Sequence, residues 1–446
     1  MKKYIKFPLM VGVGTLALTS VAHAAVDAES AFVFNTLLFL IGGFLVMFMA
    51  AGFSMLEAGM VRSKNVATIC TKNISLYAIS GIMFWLVGYN LMYSGVNEGF
   101  GSGFFGQMAI FAPDESAIAA GDYSAGYGAY ADWFFQMVFC ATASSIVSGT
   151  LAERIKLFPF LIFSAVLTAV IYPVVGSWEW GGGWLDQLGF ADFAGSTLVH
   201  SVGGWAALVG ALILGPRLGK YRTVNGKNVV TPFQGSNLPL ATLGTFILWF
   251  GWFGFNGASQ LALGSGADAI AIAKIFTNTN MAAAAGTVTA LLLTQLLYKK
   301  VDLTMVLNGA LAGLVAITAE PLTPSIGEAV IIGAVGSVLV VFAVPLLDKL
   351  KIDDVVGAIS VHLIAGIWGT LIVPFSHAAE DGITYGVQAL GVVAVGAFVC
   401  IASAIAWTIL DKTIGIRVSE EEEKIGLDIT ELGLHAYPEF THDSKI

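Results

Sequence analysis

Charged residues are scarce in this sequence. Only 11% of its 446 residues are Asp, Glu, Lys or Arg, whereas a soluble domain carries about 25%. The mean hydropathy is +0.81, so long segments have too little polar surface to face water. This shortage excludes soluble enzymes, nucleic-acid binders and disordered scaffolds, and a polytopic membrane protein is the class that fits.

Cysteine is also scarce, with three residues in the whole chain. Cys70, Cys140 and Cys400 each lie in an apolar run. Because an odd number of thiols cannot pair completely, the sequence indicates no disulfide framework.

The N-terminus has the features of a secretory signal peptide. Lys2, Lys3 and Lys6 precede a short apolar stretch, and residues 22–24 (AHA) match a small-residue cleavage pattern. That stretch is too short to span a membrane, so we predict a signal peptide over 1–24. An uncleaved anchor helix is the alternative.

Long apolar segments dominate the rest of the chain. A helix needs about 20 apolar residues to cross a hydrocarbon core of about 30 Å. The segments that qualify are approximately 31–59, 70–95, 128–151, 158–177, 194–216, 236–258, 269–297, 302–319, 325–347, 357–376 and 384–410. We therefore predict an all-α membrane protein with eleven transmembrane helices.

The basic residues predict the orientation, because Lys and Arg concentrate on the cytoplasmic side of a membrane. Of the 18 that remain after Lys2, Lys3 and Lys6 are taken from the total of 21, only Lys274 lies away from the predicted inner loops and tail. The mature N-terminus is then outside and the C-terminus is cytoplasmic, with 412–446 as a polar cytoplasmic tail.

An internal repeat joins the two halves of the chain. The pattern D-x2-G-x3-V-H-x3-G starts at Asp192 and again at Asp354, and it contains His200 and His362. A weaker echo relates Phe48-x3-Gly52-Phe53 to Phe250-x3-Gly254-Phe255. We predict two five-helix repeats, 25–217 and 218–377, followed by a last helix at 378–411. An odd number of crossings per repeat makes the copies inverted, as in many transporters.

The two histidines lie at matching depths in this topology. Each comes eight residues after its aspartate, which is about 12 Å along a helix, so both fall near the midplane from opposite sides. Three interpretations stay open: hydrogen bonds to neighbouring helices, a metal site, and a polar relay in an apolar pore. The metal site is the weakest, because zinc needs three or four ligands and no further ligand motif is present.

Aromatic residues accompany the predicted outer end of the pore. Phe135 and Phe139 share one helix face, Trp180 opens a Gly-Gly-Gly turn, and Ser259 follows Phe255 by four residues. Such rings can hold a small cation through cation–π attraction of about 0.5–2 kcal/mol. Ordinary packing and an interfacial aromatic belt are the alternatives.

These segments resemble the ammonium transporter family (Amt/MEP/Rh), bacterial Amt branch, along nearly all of the chain after residue 24. The strings that carry the resemblance are 51–59 (AGFSMLEAG), 149–154 (GTLAER), 180–183 (WGGG), 192–200, 249–256 (WFGWFGFN), 361–362 (VH) and, in the tail, 417–423 (RVSEEEE), 426–428 (GLD) and 435–437 (HAY).

The resemblance implies roles for individual residues. Trp180, Phe139 and Ser259 are similar to an external ammonium recruitment site, and Asp192 is similar to the acid that shapes it. Phe139 and Phe255 resemble a stacked aromatic gate, with Phe135 lining the same region. His200 and His362 resemble the twin histidines of the family's pore.

The resemblance also implies an ammonium transporter of the bacterial inner membrane, and neither an enzyme nor a cofactor-dependent protein. It implies a homotrimer whose tail docks a PII-type signalling protein. The expected mechanism captures ammonium outside, deprotonates it and conducts ammonia through the pore. The alternatives are an ammonium sensor that signals through the tail, an intramembrane metalloenzyme and a conduit for another gas such as carbon dioxide.

Overall fold

A computed structural model describes residues 26–440 of the chain. The predicted signal peptide lies outside the described residues. A helix occupies each of the eleven predicted positions. These helices are α1 (Ala28–Met60), α2 (Ser63–Tyr93), α3 (Ala129–Thr150), α4 (Leu157–Ser177), α5 (Ser196–Leu214), α6 (Leu238–Gln260), α7 (Gly266–Tyr298), α8 (Leu303–Ile317), α9 (Ile326–Lys349), α10 (Ile359–Phe375) and α11 (Tyr385–Thr413).

Eight of these helices in the described part of the chain are long and apolar enough to cross a membrane by themselves. The others are α3, which contains several polar residues, and the shorter α8 and α10. The chain is therefore an all-helical, multi-pass membrane protein in its described part, apart from one small hairpin, and the count of eleven crossings stays a prediction.

Local sequence signals set several helix starts. Asp27 accepts a hydrogen bond from the backbone N–H of Ser30, and Asn237 accepts one from Leu240. Ser325 forms a capping box with Glu328 at the start of α9. These side chains bind amide groups that have no partner inside the helix, which stabilises a helix start by about 1 kcal/mol.

Small residues let α1 and α6 pack closely. A Cβ atom added at Gly52 would lie 2.9 Å from Leu248, and one added at Gly254 would lie 2.8 Å from the carbonyl oxygen of Gly42. In lipid no hydrophobic effect drives helices together, so close backbone approach supplies much of the packing energy. This contact joins the first helix of each predicted repeat.

The two copies of the repeated motif fold alike. Each contains a π-helical turn, Ser196–Ser201 in α5 and Ile359–Ile364 in α10. Gly195 and Gly357 precede these turns with φ of 107° and 85°, a region that favours glycine. A π-helical turn inserts one extra residue into a helix, and such turns are frequent at functional sites.

The tail packs against the helix ends on its side of the molecule. Its two short helices are Glu420–Ile425 and Leu427–Thr430. The Lys64 Nζ atom donates to the Glu423 carbonyl at 2.7 Å, and Asp428 accepts hydrogen bonds from the backbone N–H groups of Ala67 and Thr68. A hairpin of Tyr221–Val224 and Lys227–Val230, paired antiparallel, lies in the loop between α5 and α6.

Charged groups cluster in the loops beneath this tail. Arg62 pairs with Glu153, and Arg217 binds Asp353 at 2.9 Å. Burial alone would raise the pKa of Asp353, but Arg154 and Arg217 outweigh that effect and hold it below its ordinary range. Two of the basic residues that predicted the orientation, Arg62 and Arg217, are thus held in ion pairs at this end of the bundle.

Lys274, the one basic residue outside the predicted inner loops, has a partner. Its Nζ atom donates to the Thr323 carbonyl at 3.0 Å, in the loop between α8 and α9. The structure thus shows Lys274 joining α7 to that loop.

Candidate functional site

The two repeat histidines contact each other inside the helix bundle. The Nδ1 atoms of His200 and His362 lie 3.2 Å apart, and neither ring is more than 3% exposed. One Nδ1 must donate and the other accept, so two neutral rings in this contact carry their protons on different nitrogens. The Nε2 atom of His200 is buried and has no hydrogen-bond partner among the described residues.

Aromatic rings form a continuous file from His200 towards the end of the bundle opposite the tail. The His200 ring stacks on Trp252 and Phe255 with centroid separations of 5.0 and 5.2 Å. Phe255 stacks on Phe139 at 4.0 Å, and the Phe135 ring meets Phe139 edge-on at 4.8 Å. Both rings of the Phe139–Phe255 pair are buried.

Beyond that pair lies a cavity of about 280 Å³. The predicted residues Phe135, Phe139, Trp180 and Ser259 line it together. The Ser259 hydroxyl donates to the Phe255 carbonyl at 2.8 Å, so its oxygen is left to accept a hydrogen bond from a guest. The cavity thus combines aromatic faces with a hydroxyl acceptor, which suits a small cation that carries N–H groups.

The same cavity contains a carboxylate that the sequence reasoning missed. Asp132 lines it and is 8% exposed. The Tyr89 hydroxyl donates to one Asp132 oxygen at 2.5 Å, and the Gln136 amide donates to the other at 3.2 Å. The sequence signal was available, because Asp132 lies three residues before Phe135 in an apolar predicted span.

Asp192 does not line this cavity. Its carboxylate accepts hydrogen bonds from four backbone N–H groups, those of residues 195–198, at 2.7–3.1 Å. Its carbonyl accepts one from the Trp180 indole at 3.0 Å. Asp192 therefore holds the π-helical turn and orients Trp180, and it is a positioning residue.

A smaller cavity of about 10 Å³ lies on the tail side of His362. Its lining includes His362, Phe53, Glu57 and Asn308. The Phe53 and His362 ring centroids are 5.9 Å apart. Together the two cavities and the file of rings define an internal line through the subunit, which we call the central path.

The described residues contain no group of three or more His, Cys, Asp or Glu side chains arranged to hold a metal ion. His200 and His362 face each other and aromatic rings instead. The geometry of the pair therefore fits a hydrogen-bonded relay and does not supply the three or four ligands that zinc requires.

A bundle of apolar helices around a buried line of rings and imidazoles is a multi-pass membrane protein with a narrow internal path. Comparison with known proteins identifies its family. The model of the Ammonium Transporter Family matches residues 37–437. The chain therefore belongs to the ammonium transporter family, whose members are named as transporters and not as enzymes, and the resemblance seen in the sequence is confirmed.

Individual relatives are similar along most of their length. An ammonium transporter Amt2 of Archaeoglobus fulgidus is 43% identical over 90% of this chain and 87% of its own. A putative ammonium transporter of Synechocystis is 41% identical over 91% and 90%. A solved structure described as a sensor Amt protein is 37% identical, covers 91% of this chain and 100% of its own, and superposes with a TM-score of 0.83.

Proposed function

We propose that the protein captures ammonium in the 280 Å³ cavity and conducts it as ammonia along the central path. The observation that carries this proposal is the unpartnered Nε2 atom of His200, buried beneath the Phe139–Phe255 stack. An unpaired buried polar atom costs about 1–3 kcal/mol. A neutral guest with N–H groups and a lone pair satisfies it, whichever tautomer the ring adopts.

Capture takes place at the aromatic cavity. Trp180 and Phe139 present their π faces, Ser259 offers a hydroxyl oxygen, and Asp132 adds an anionic group. Cation–π attraction to such rings contributes about 0.5–2 kcal/mol. Asp192 supports this site by holding Trp180 and the turn that carries His200.

The proton is lost at the Phe139–Phe255 gate. A bare cation in an apolar medium loses its hydration at an idealised cost of tens of kcal/mol. Ammonium avoids this cost by releasing a proton into the outer cavity, where the Asp132 carboxylate can accept it, and ammonia then passes the gate and the His200–His362 pair. Potassium has no proton to release, so the same path excludes it.

The experiment that tests this function is uptake of [14C]methylammonium into proteoliposomes that contain the purified full-length chain. We expect uptake by the native chain and a loss of at least about tenfold for the His200→Ala, His362→Ala double variant, because an apolar gap replaces the relay. His435→Ala, an exposed tail histidine, is the matched control. Equal rates for native chain and double variant would contradict the relay.

The assembly and location follow from family membership as further proposals. We place the protein in a bacterial inner membrane as a homotrimer with one central path per subunit, its N-terminus outside and its tail in the cytoplasm. The clustered basic loops beneath the tail support this orientation. The docked tail is a surface for a PII-type signalling protein, which pull-down with the native and tail-deleted chains tests.

A second candidate function is ammonium sensing through the tail. It is favoured by the 37% identity to a structure described as a sensor Amt protein. The tail's contacts with α2 give a route by which an occupied path alters the tail. Robust methylammonium uptake by the purified chain alone supports transport, whereas ammonium binding without uptake supports the sensor.

A further inference from the structure

The 10 Å³ cavity beside His362 contains an intramembrane carboxylate that the mechanism above does not use. Glu57 belongs to α1 and is 1% exposed. The cavity is large enough for about one water-sized molecule, and Ser145 and Asn308 share its wall with Glu57 and His362. Ionisable groups inside a membrane protein are costly and are usually functional.

The two oxygens of this carboxylate differ. Oε2 accepts hydrogen bonds from the Asn73 amide at 2.9 Å and from the Ser148 hydroxyl at 2.8 Å. Oε1 accepts none from any residue that the structure describes. The bonds that hold α1 to α2 and α3 thus use one oxygen, and the other is left for a guest in the cavity.

Lys72 is a basic residue that is buried like Glu57. It does not form a hydrogen bond with Oε1 of Glu57. Its Nζ atom donates to the Ser148 carbonyl at 2.9 Å and lies 4.5 Å from the centre of the Phe160 ring. Within the described part of the chain no ion pair of 4.0 Å or less joins Lys72 to Glu57. Lys72 offsets the charge of Glu57 across a gap and leaves the oxygen accessible to a ligand.

The repeat relates Glu57 to a residue of the outer cavity. Phe53 in α1 corresponds to Phe255 in α6, and the residues four positions further on are Glu57 and Ser259. Each phenylalanine packs on the histidine of its own side, Phe53 on His362 and Phe255 on His200. Glu57 therefore stands where Ser259 stands in the other half, with a carboxylate in place of a hydroxyl.

We infer that Glu57 is the anionic ligand of a second site for ammonium-type cations, at the tail end of the central path. The inference rests on the proposed function, since it assumes that ammonia passes His362. A carboxylate oxygen with no other partner accepts an N–H bond from such a cation and is a stronger ligand than a neutral hydroxyl. The two ends of the path then bind the same guest with different chemistry.

Membrane vesicles of opposite orientation, made from cells that express the full chain, test this site. A C-terminal tag that added protease can cleave identifies the vesicles that expose the tail. The half-saturating concentration for [14C]methylammonium uptake is then measured in vesicles of each orientation. For Glu57→Gln, which keeps the hydrogen bonds of Oε2 and loses the charge, we expect a rise of about tenfold at the tail face. At the opposite face we expect a change of less than about twofold.

Three controls define the outcome. Ser259→Ala is expected to raise the half-saturating concentration at the opposite face only, Glu57→Asp to retain most of the affinity at the tail face, and the exposed Glu98→Gln to change neither. An unchanged tail-face value for Glu57→Gln, or equal shifts on both faces, overturns the inner site and leaves the transport proposal standing. Failure of the native chain to transport in either vesicle overturns both.

Discussion

At the scale of single residues, the histidine pair shows what can be predicted by counting residues along a helix. Counting eight residues from each aspartate places both rings near mid-membrane, and the structure brings them into contact at 3.2 Å. The arithmetic gives depth and not rotation about the helix axis. That the two Nδ1 atoms face each other, leaving the His200 Nε2 atom without a partner, depends on the π-helical turns.

Asp132 gives the first prediction at this scale. Removing its charge with Asp132→Asn keeps the shape of the side chain and weakens the attraction of the cavity for cations. We expect the half-saturating concentration for methylammonium uptake to rise on the order of tenfold, about 1.4 kcal/mol, with little change in maximal rate. Initial rates of uptake across a concentration series measure both quantities.

Asp122→Asn is the matched control for Asp132. Asp122 is exposed in the loop between α2 and α3 and bonds the backbone of Ser124. It lies outside the cavity, so its variant is expected to bind as the native chain does. A fall in maximal rate without a change in half-saturation for Asp132→Asn would argue against a role in capture.

At the scale of elements, the apolar runs predicted helix ends to within a few residues, except that α2 begins at Ser63 and not at the predicted residue 70. The predicted span 158–177 is observed as Leu157–Ser177, and 325–347 as Ile326–Lys349. Hydrophobic runs set these positions because the bilayer thickness sets the length. They did not predict the π-helical turns, since one inserted residue barely changes the composition of an apolar segment.

Gly195 gives a prediction about one such turn. Gly195→Ala places a side chain at φ of 107° and drives its Cβ into Val199. Gly121→Ala meets a similar backbone strain at φ of 87° with no atom within 4 Å. We expect Gly121→Ala to cost about 1 kcal/mol and Gly195→Ala several times that, because a clash adds to the strain.

Thermal stability in detergent, followed by fluorescence size-exclusion, measures the difference between these two variants. The variant at Gly195 is also expected to lose uptake, because its turn carries His200. Equal melting temperatures for the two variants would show that the close approach at Gly195 adds nothing beyond backbone strain.

At the scale of the whole molecule, the tail is held by contacts that join residues about 360 positions apart. Asp428 accepts bonds from the Ala67 and Thr68 amides and from the Thr68 hydroxyl at 2.8–3.0 Å, near the start of α2. An anion there also meets the positive end of the helix dipole. The acidic run before it does not reveal this docking, because a charge run in sequence usually indicates a solvated face.

Asp428→Asn tests how firmly the tail is held. Losing the charge-assisted bonds costs about 1–3 kcal/mol, so the tail is expected to open more often. Limited trypsin digestion is expected to cut after Lys424 on the order of tenfold faster than in the native chain. Glu421→Gln, an exposed residue of the same tail, is the control, and similar cleavage in both variants would contradict the docking role.

A second long-range contact predicts a pH dependence of stability. His377, between α10 and α11, binds Glu320 at 2.8 Å and Asp381 at 3.1 Å. The hydrogen bond that the His377 ring donates to Glu320, together with the negative charges of Glu320 and Asp381, raises the pKa of His377. The stability that this contact adds is full below the ordinary imidazole pKa of about 6.5 and is lost as pH rises through the raised value.

His377→Gln measures that contribution. We expect the variant to melt below the native chain at about pH 6 and the gap to close towards about pH 9, where the native imidazole is neutral. Melting curves of both proteins across this range give the comparison. A gap that stays constant with pH would mean that His377 acts through packing alone.

The sequence by itself determined the class of the protein and the approximate positions of its helices. Those properties follow from length and composition, since the bilayer accepts only apolar segments long enough to cross it. The resemblance to the family adds the expected site residues, and each of them except Asp192 lies on the path.

The tertiary structure alone decided which polar groups meet. It placed Asp132 in the outer cavity and Glu57 in the inner one, and it turned Asp192 towards backbone amides. It also bound the tail to α2. These outcomes depend on the rotation of each helix about its axis and on contacts distant in sequence, and neither is encoded in hydropathy along a single chain.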